Sequence, residues 1–123
     1  MNGSSIVADT SLLVNFFNGA ELAREILEAR TIWYATITEI ELLCYPELSK
    51  DETALIESFL GQCIQQDLTQ PVINESINIR KKYRLKVPDA IIAATAITCN
   101  LPLITMDSDF DQVKNLDVLI AEI

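Results

Sequence analysis

The stretch Ser5-Ile6-Val7-Ala8-Asp9-Thr10-Ser11-Leu12-Leu13-Val14 decides how the chain is read. It starts as a short apolar run without clean alternation, which suits a strand buried on both faces of a parallel sheet. Asp9 stands where that strand stops, and Thr10-Ser11 turn the chain into a helix. In open α/β sheets, ligands bind outside the carboxyl ends of the strands. The first acid of the chain therefore falls where such a fold does chemistry. Capping the next helix is an equally physical job for the same side chain.

Outward from there, the pattern is strand and helix in alternation. Residues 12–17 read as a short helix stopped by Asn18-Gly19, and residues 20–30 as an amphipathic helix with Leu22, Ala23, Ile26 and Leu27 on its apolar stripe. Segment 31–37, rich in β-branched and aromatic residues, reads as a second strand. Thr38-x-x-Glu41 fits a capping box at the start of the next helix. That helix should end near Tyr45-Pro46, since a residue before proline resists α geometry. Another helix starts at Ser49, with Leu55, Ile56, Phe59 and Leu60 as its expected buried stripe and Gly61 at its end. Segment 63–68 reads as a short edge strand. Thr69 and Pro71 open a helix whose apolar face is Ile73, Ile77 and Ile79, and whose tail carries Arg80, Lys81, Lys82, Arg84 and Lys86. Val87-Pro88-Asp89 starts an alanine-rich, almost wholly apolar helix that Asn100 and Pro102 end. Leu103-Ile104-Thr105 and Val118-Leu119-Ile120 are the last strands, the latter at an edge. Strands separated by helices imply right-handed crossovers and a parallel sheet.

The composition sets outer bounds. A length of 123 residues is one domain, 1–123, large enough for a real core. Half the residues are hydrophobic, which argues against disorder. No apolar run is long enough for a membrane span, and no signal-peptide pattern opens the chain. Cys44, Cys63 and Cys99 are widely spaced and form no CxxC pair, so they are expected as reduced core residues of a cytoplasmic protein. Histidine is absent, which removes Ser-His and Cys-His triads and the commonest zinc ligand. Acids outnumber bases 18 to 9, so the surface should repel nucleic acid unless cations or a local basic patch reverse the field. Five of the nine bases lie between residues 80 and 86, where they serve either as a solvated helix end or as a phosphate-attracting patch.

Four acids form a pattern that none of them makes alone. Asp9 and Asp107 end strands, while Glu41 and Asp89 lie in first turns of helices whose N-termini should face the same sheet edge. Each has a plainer job: cap for Asp9, capping box for Glu41, dipole partner for Asp89, turn chemistry for Asp107 and Asp109. Packed together, carboxylates repel one another and raise their pKa values unless a cation sits among them. An all-carboxylate cluster suits Mg²⁺ or Mn²⁺, and the natural reaction is attack of water on a phosphodiester.

Four stretches together carry a resemblance. Val7-Ala8-Asp9-Thr10-Ser11, Ile37-Thr38-Glu39-Ile40-Glu41-Leu42, Pro88-Asp89-Ala90-Ile91-Ile92-Ala93-Ala94-Thr95-Ala96 and Ile104-Thr105-Met106-Asp107-Ser108-Asp109-Phe110 occur in this order from end to end. The chain resembles a PIN domain, most closely the toxin nucleases of VapC type. The resemblance implies a three-layer α/β/α fold with a central parallel sheet of order 3-2-1-4-5. That order reverses between strands 1 and 4, so Asp9 and Asp107 should flank the topological switch point. It also implies a metal-dependent endoribonuclease using Mg²⁺ or Mn²⁺. Asp9, Glu41, Asp89 and Asp107 would be its catalytic acids, and Asp9, Asp89, Asp107 and Asp109 its metal ligands. Thr10 and Thr105 match the family's hydroxyl positions. The implied partners are RNA, a small antitoxin and a second copy of the chain. Two departures stand out: Met106 where the family often has Arg, and Cys44-Tyr45-Pro46 where a small residue or Gly commonly follows the Glu. A non-catalytic PIN scaffold that binds a protein partner is the alternative. A receiver domain fits less well, since Asp9 has no adjacent acid and no lysine follows the last strand.

Overall fold

The computed structural model describes residues 4–122. Its elements run β1 (Ser5–Ala8), α1 (Thr10–Phe17), α2 (Glu21–Leu27), β2 (Thr31–Ala35), α3 (Thr36–Leu43), α4 (Lys50–Gly61), β3 (Ile64–Gln66), α5 (Gln70–Lys82), α6 (Val87–Cys99), β4 (Leu103–Thr105), a 3₁₀ turn (Ser108–Gln112) and β5 (Val118–Ile120). The five strands make one sheet of order β3-β2-β1-β4-β5, with every pairing parallel. This is the expected α/β architecture, with β3 and β5 at the edges.

β1 is the central strand because its residues bury on both faces. Val7 joins a core packed under α5 and α6, with Val72, Ile79, Ala90 and Ala93. Ile6 and Ala8 join a second core, with Leu12, Leu13, Ala23, Ile56 and Leu60 from α1, α2 and α4. Two cores on opposite faces of one sheet define the three layers. The alanines of α6 serve this arrangement, since small side chains let a helix lie close to the strands; Ala90, Ala93, Ala94 and Ala96 are all fully buried. Asn100 ends α6 in the left-handed region at φ 56°, as its type favours.

Several expected details differ. β2 stops at Ala35 and α3 begins at Thr36, so the second strand is shorter than the 31–37 segment. α2 ends at Leu27 because Glu28 turns extended and Ala29 enters the left-handed region at φ 63°. On α4, Ile56 and Leu60 are buried, but Leu55 is exposed. Gly61 is the last residue of α4 and Gln62 is its cap. The buried face of α5 is Val72, Ser76 and Ile79; Ile77 points to solvent. α5 also ends at Lys82, which puts Arg84 and Lys86 in the connection to α6 rather than on the helix tail. The three cysteines are free, but Cys44 is exposed and the other two are only half-buried. No helix among the described residues is long and apolar enough to cross a membrane.

Candidate active site

The sheet order reverses between β1 and β4, and the two strands pair directly there. Asp9 follows β1, and its N–H donates to Ile104 O at 3.0 Å, so the ladder carries the acid to the carboxyl edge of the sheet. Its side chain is 3% exposed. Oδ2 accepts from Ser11 Oγ at 2.6 Å, from Thr105 Oγ1 at 2.6 Å, and more distantly from Ser11 N at 3.4 Å. Asp9 is thus the cap of α1, but the hydroxyls hold it more closely than the helix does. None of these bonds engages Oδ1. No buried side-chain oxygen among the described residues lacks a partner, so Oδ1 is open to the cleft.

Thr105 and Ser11 lock the switch point together. Asp107 N donates to Thr105 Oγ1 at 3.0 Å, and Met106 N donates to Ser11 Oγ at 3.1 Å. Both hydroxyls therefore give their protons to Asp9 and take backbone N–H groups from the turn after β4. Asp107 caps the 3₁₀ turn, its Oδ1 accepting from Asp109 N at 2.9 Å. The turn chemistry expected of this pair is present, and Asp109 itself is exposed.

Glu41 comes to the same edge by a different local route than a capping box. Ala35 caps α3 without a side-chain bond, and Thr38 lies inside the helix, fully buried. Glu41 Oε1 instead accepts from Thr10 Oγ1 at 2.7 Å, a bond that joins α3 to α1. Gln65 holds Glu39, the rival acid, on the exposed side of α3 at 3.0 Å.

Asp89 reads out the assembly. Its carboxyl is pushed up to about 6, first by partial burial and then by the facing carboxylates of Asp9, Asp107 and Glu41, with Lys86 opposing. Three of the sequence-predicted acids, Asp9, Asp107 and Glu41, thus act on the fourth, while Asp109 does not figure among the charges acting on Asp89. Among the described residues, no group of three acids is already arranged to hold one ion. The donor set nevertheless fits a hard divalent cation: every donor is a carboxylate oxygen or hydroxyl, and the repulsion on Asp89 is the kind a cation relieves.

Of the five bases, Lys86 caps α6 beside Asp89, and Arg80 Nη1 donates to Leu85 O at 2.6 Å. All five are exposed, and among the described residues none forms an ion pair. Sequence reasoning missed Ser11 as a ligand of Asp9 and misplaced Thr38. Ser11 also accepts from Met106 N, 95 positions away, and Thr38 pairs with Thr10, 28 positions away, so no local spacing reveals those links.

A family model described as PIN domain matches residues 6–116. The chain belongs to the PIN-domain family. The PIN fold here superposes on a toxin–antitoxin complex from Klebsiella pneumoniae with TM-score 0.84 at 29% identity, over 96% of this chain and 99% of that one. DNA-bound VapBC from Salmonella typhimurium gives TM-score 0.83 at 20% identity, covering 94% of this chain and 97% of that one. VapBC2 from Rickettsia felis, bound to a promoter DNA fragment, gives 0.80 at 18%, covering 96% and 99%. Comparison with curated proteins finds no match. The similarity of this PIN domain to VapC-type toxins is thus one of whole chains, not of a shared fragment.

Proposed function

We propose that this PIN domain, residues 1–123, is a metal-dependent endoribonuclease and the toxin of a toxin–antitoxin pair. The observation that carries the reading is the raised carboxyl of Asp89, with Asp9, Asp107 and Glu41 facing it at the topological switch point. Mg²⁺ or Mn²⁺, bound there, would supply a polarised water and stabilise the leaving oxygen of a phosphodiester. Asp9, through its free Oδ1, and Asp89 and Asp107 would hold the cation, with Asp109 completing the set from the adjacent turn. Thr105 and Ser11 keep Asp9 turned toward the cleft. Glu41, which accepts a hydrogen bond from Thr10, would take a proton from the attacking water. Arg80, Lys81, Lys82, Arg84 and Lys86 would draw in the phosphate backbone that the rest of an acidic chain repels.

The partner proposals rest on the relatives and on the surface. The solved relatives are toxin–antitoxin complexes, and a small basic antitoxin would suit a chain of net charge −9. An apolar groove of about 510 Å³ between α5 and α6, with Leu68, Ile73, Ile77, Val87 and Ile91 along it, is suited to a second copy. A cytoplasmic location fits three free thiols. The non-catalytic scaffold reading draws on one observation, the absence among the described residues of a ready-made group of three acids.

Incubation with a mixed RNA pool in Mg²⁺ and in Mn²⁺, with EDTA as control, tests the proposal. EDTA-sensitive cleavage within the RNA supports it. No cleavage of any RNA by the folded protein rejects it in favour of the scaffold.

A further inference from the structure

Thr38 has no role in either account of the site so far, yet it is the most deeply buried hydroxyl on α3, with no exposed surface. Buried helical hydroxyls ordinarily satisfy themselves by donating to the carbonyl one turn back. Ser76 does so to Val72 O at 2.7 Å and Thr95 to Ile91 O at 2.7 Å. Thr38 makes no such bond among the described residues. Its Oγ1 lies 3.0 Å from Thr10 Oγ1 instead.

Proton counting fixes the direction. Thr10 has one hydroxyl proton, and Glu41 as a carboxylate only accepts. The 2.7 Å bond to Glu41 Oε1 uses that proton. The angles at the oxygens also suit Thr10 as donor to Thr38. Its single proton serves the shorter bond to the charged acceptor, however, which leaves Thr38 to supply the proton between the two threonines. The chain runs from Thr38 to Thr10 to Glu41, and each link leaves the next donor a single orientation. A chain of this kind, sealed at its buried end, keeps Thr10 from rotating its hydroxyl away toward water.

We propose that Thr38 is a positioning residue for Glu41, acting through Thr10; this rests on reading Glu41 as part of the nuclease site. Thr38 touches neither substrate nor cation. Its loss therefore lowers the rate of the bound complex without weakening RNA binding.

The test is a set of four variants assayed by steady-state cleavage of RNA: Thr38→Val, Thr38→Ser, Thr10→Val and the double Thr10→Val/Thr38→Val. Losing one hydrogen bond that orients a catalytic group should cut kcat roughly three- to tenfold in Thr38→Val, with KM within about twofold of wild type. Thr38→Ser keeps the hydroxyl and should restore the rate. Thr38→Val should add nothing once Thr10 is valine, because the coupling runs through that residue. A wild-type rate in Thr38→Val, a serine variant as slow as the valine, or additive losses in the double variant would each overturn the proposal. Thr38→Ala removes the same hydroxyl if the valine does not fold. Crystal structures of wild type and Thr38→Val give a reading independent of activity. Should the wild type cleave no RNA, the nuclease reading fails, and the crystals still decide the link. Glu41 displaced from Thr10 in the variant supports it, and Glu41 unmoved overturns it.

Discussion

Thr105 Oγ1 donates a 2.6 Å hydrogen bond to Asp9 Oδ2, joining the ends of the two central strands across 96 positions of sequence. Thr105 is fully buried, and its oxygen also accepts Asp107 N. Removing the hydroxyl strips a charge-assisted bond from a buried carboxylate and orphans a backbone N–H. Thr105→Val should therefore cost about 1.5–3 kcal/mol of stability, and Thr105→Ser much less. Chemical denaturation of the three proteins at neutral pH measures this. Equal stability of the valine variant would mean that the bond contributes nothing.

Asp89 predicts a pH dependence whose sign is set by its raised carboxyl. The folded protein holds that proton to about pH 6, above the ordinary carboxyl value of 3.8, so the unfolded chain releases it first. The stabilisation is complete below the ordinary value and is lost as pH rises through about 6. Metal-free Asp89→Asn should therefore melt higher than wild type at pH 8, by about 2–5 °C, and the gap should close toward pH 4. Millimolar Mn²⁺ should raise the wild-type melting temperature more at pH 8 than at pH 5, because the ion takes the place of the proton. A metal shift independent of pH would contradict this.

The bases at 80–86 divide between α5 and the connection to α6, and all are exposed without ion pairs among the described residues. Replacing Lys81, Lys82 and Arg84 by Gln should weaken RNA binding. It should also lower the slope of log K against log salt by about 0.7 for each phosphate of a single strand that is no longer neutralised. An unchanged slope would make these bases ordinary solvated surface.

Ala29 holds the turn from α2 to β2 at φ 63°, a conformation that costs a residue bearing a Cβ about 1–2 kcal/mol. Ala29→Gly should be stabilising by roughly 0.5–1 kcal/mol, after the greater freedom of glycine in the unfolded chain is subtracted. A thermal melt decides, and a lower melting temperature would contradict the strain.

Much of the fold was legible because the strands are short and, apart from the edge strand β3 with Gln65 and Gln66, largely apolar, and because β1 has no alternation. The sheet order followed from the resemblance rather than from any strand. The four acids were legible as positions at strand ends and helix starts. Thr38-x-x-Glu41 misled because the same spacing places both residues on one face of a helix interior. The cap residue is Ala35, which makes no side-chain bond and so leaves no mark in the sequence. Leu55 misled because an apolar residue next to a buried stripe is not distinguished from one in it. Ser11 and Thr38 act on partners brought close only by the sheet and by α1 against α3, so their roles belong to the tertiary structure.

Asp9→Asn tests the central claim most directly. The amide oxygen can occupy the place of Oδ2 and keep the bonds from Ser11 and Thr105, and Asn caps a helix as well as Asp. The amide nitrogen then replaces Oδ1, the oxygen that faces the cleft, and removes the charge a hard cation requires. A cap alone would survive this exchange, and a metal ligand would not. The measurement is cleavage of a mixed RNA pool by wild type and variant in Mg²⁺ and in Mn²⁺, with the melting temperature of each taken without metal. The account predicts a variant at least as stable as wild type whose metal-dependent cleavage falls by about a hundredfold or more. Equal, EDTA-sensitive cleavage by both proteins would contradict it.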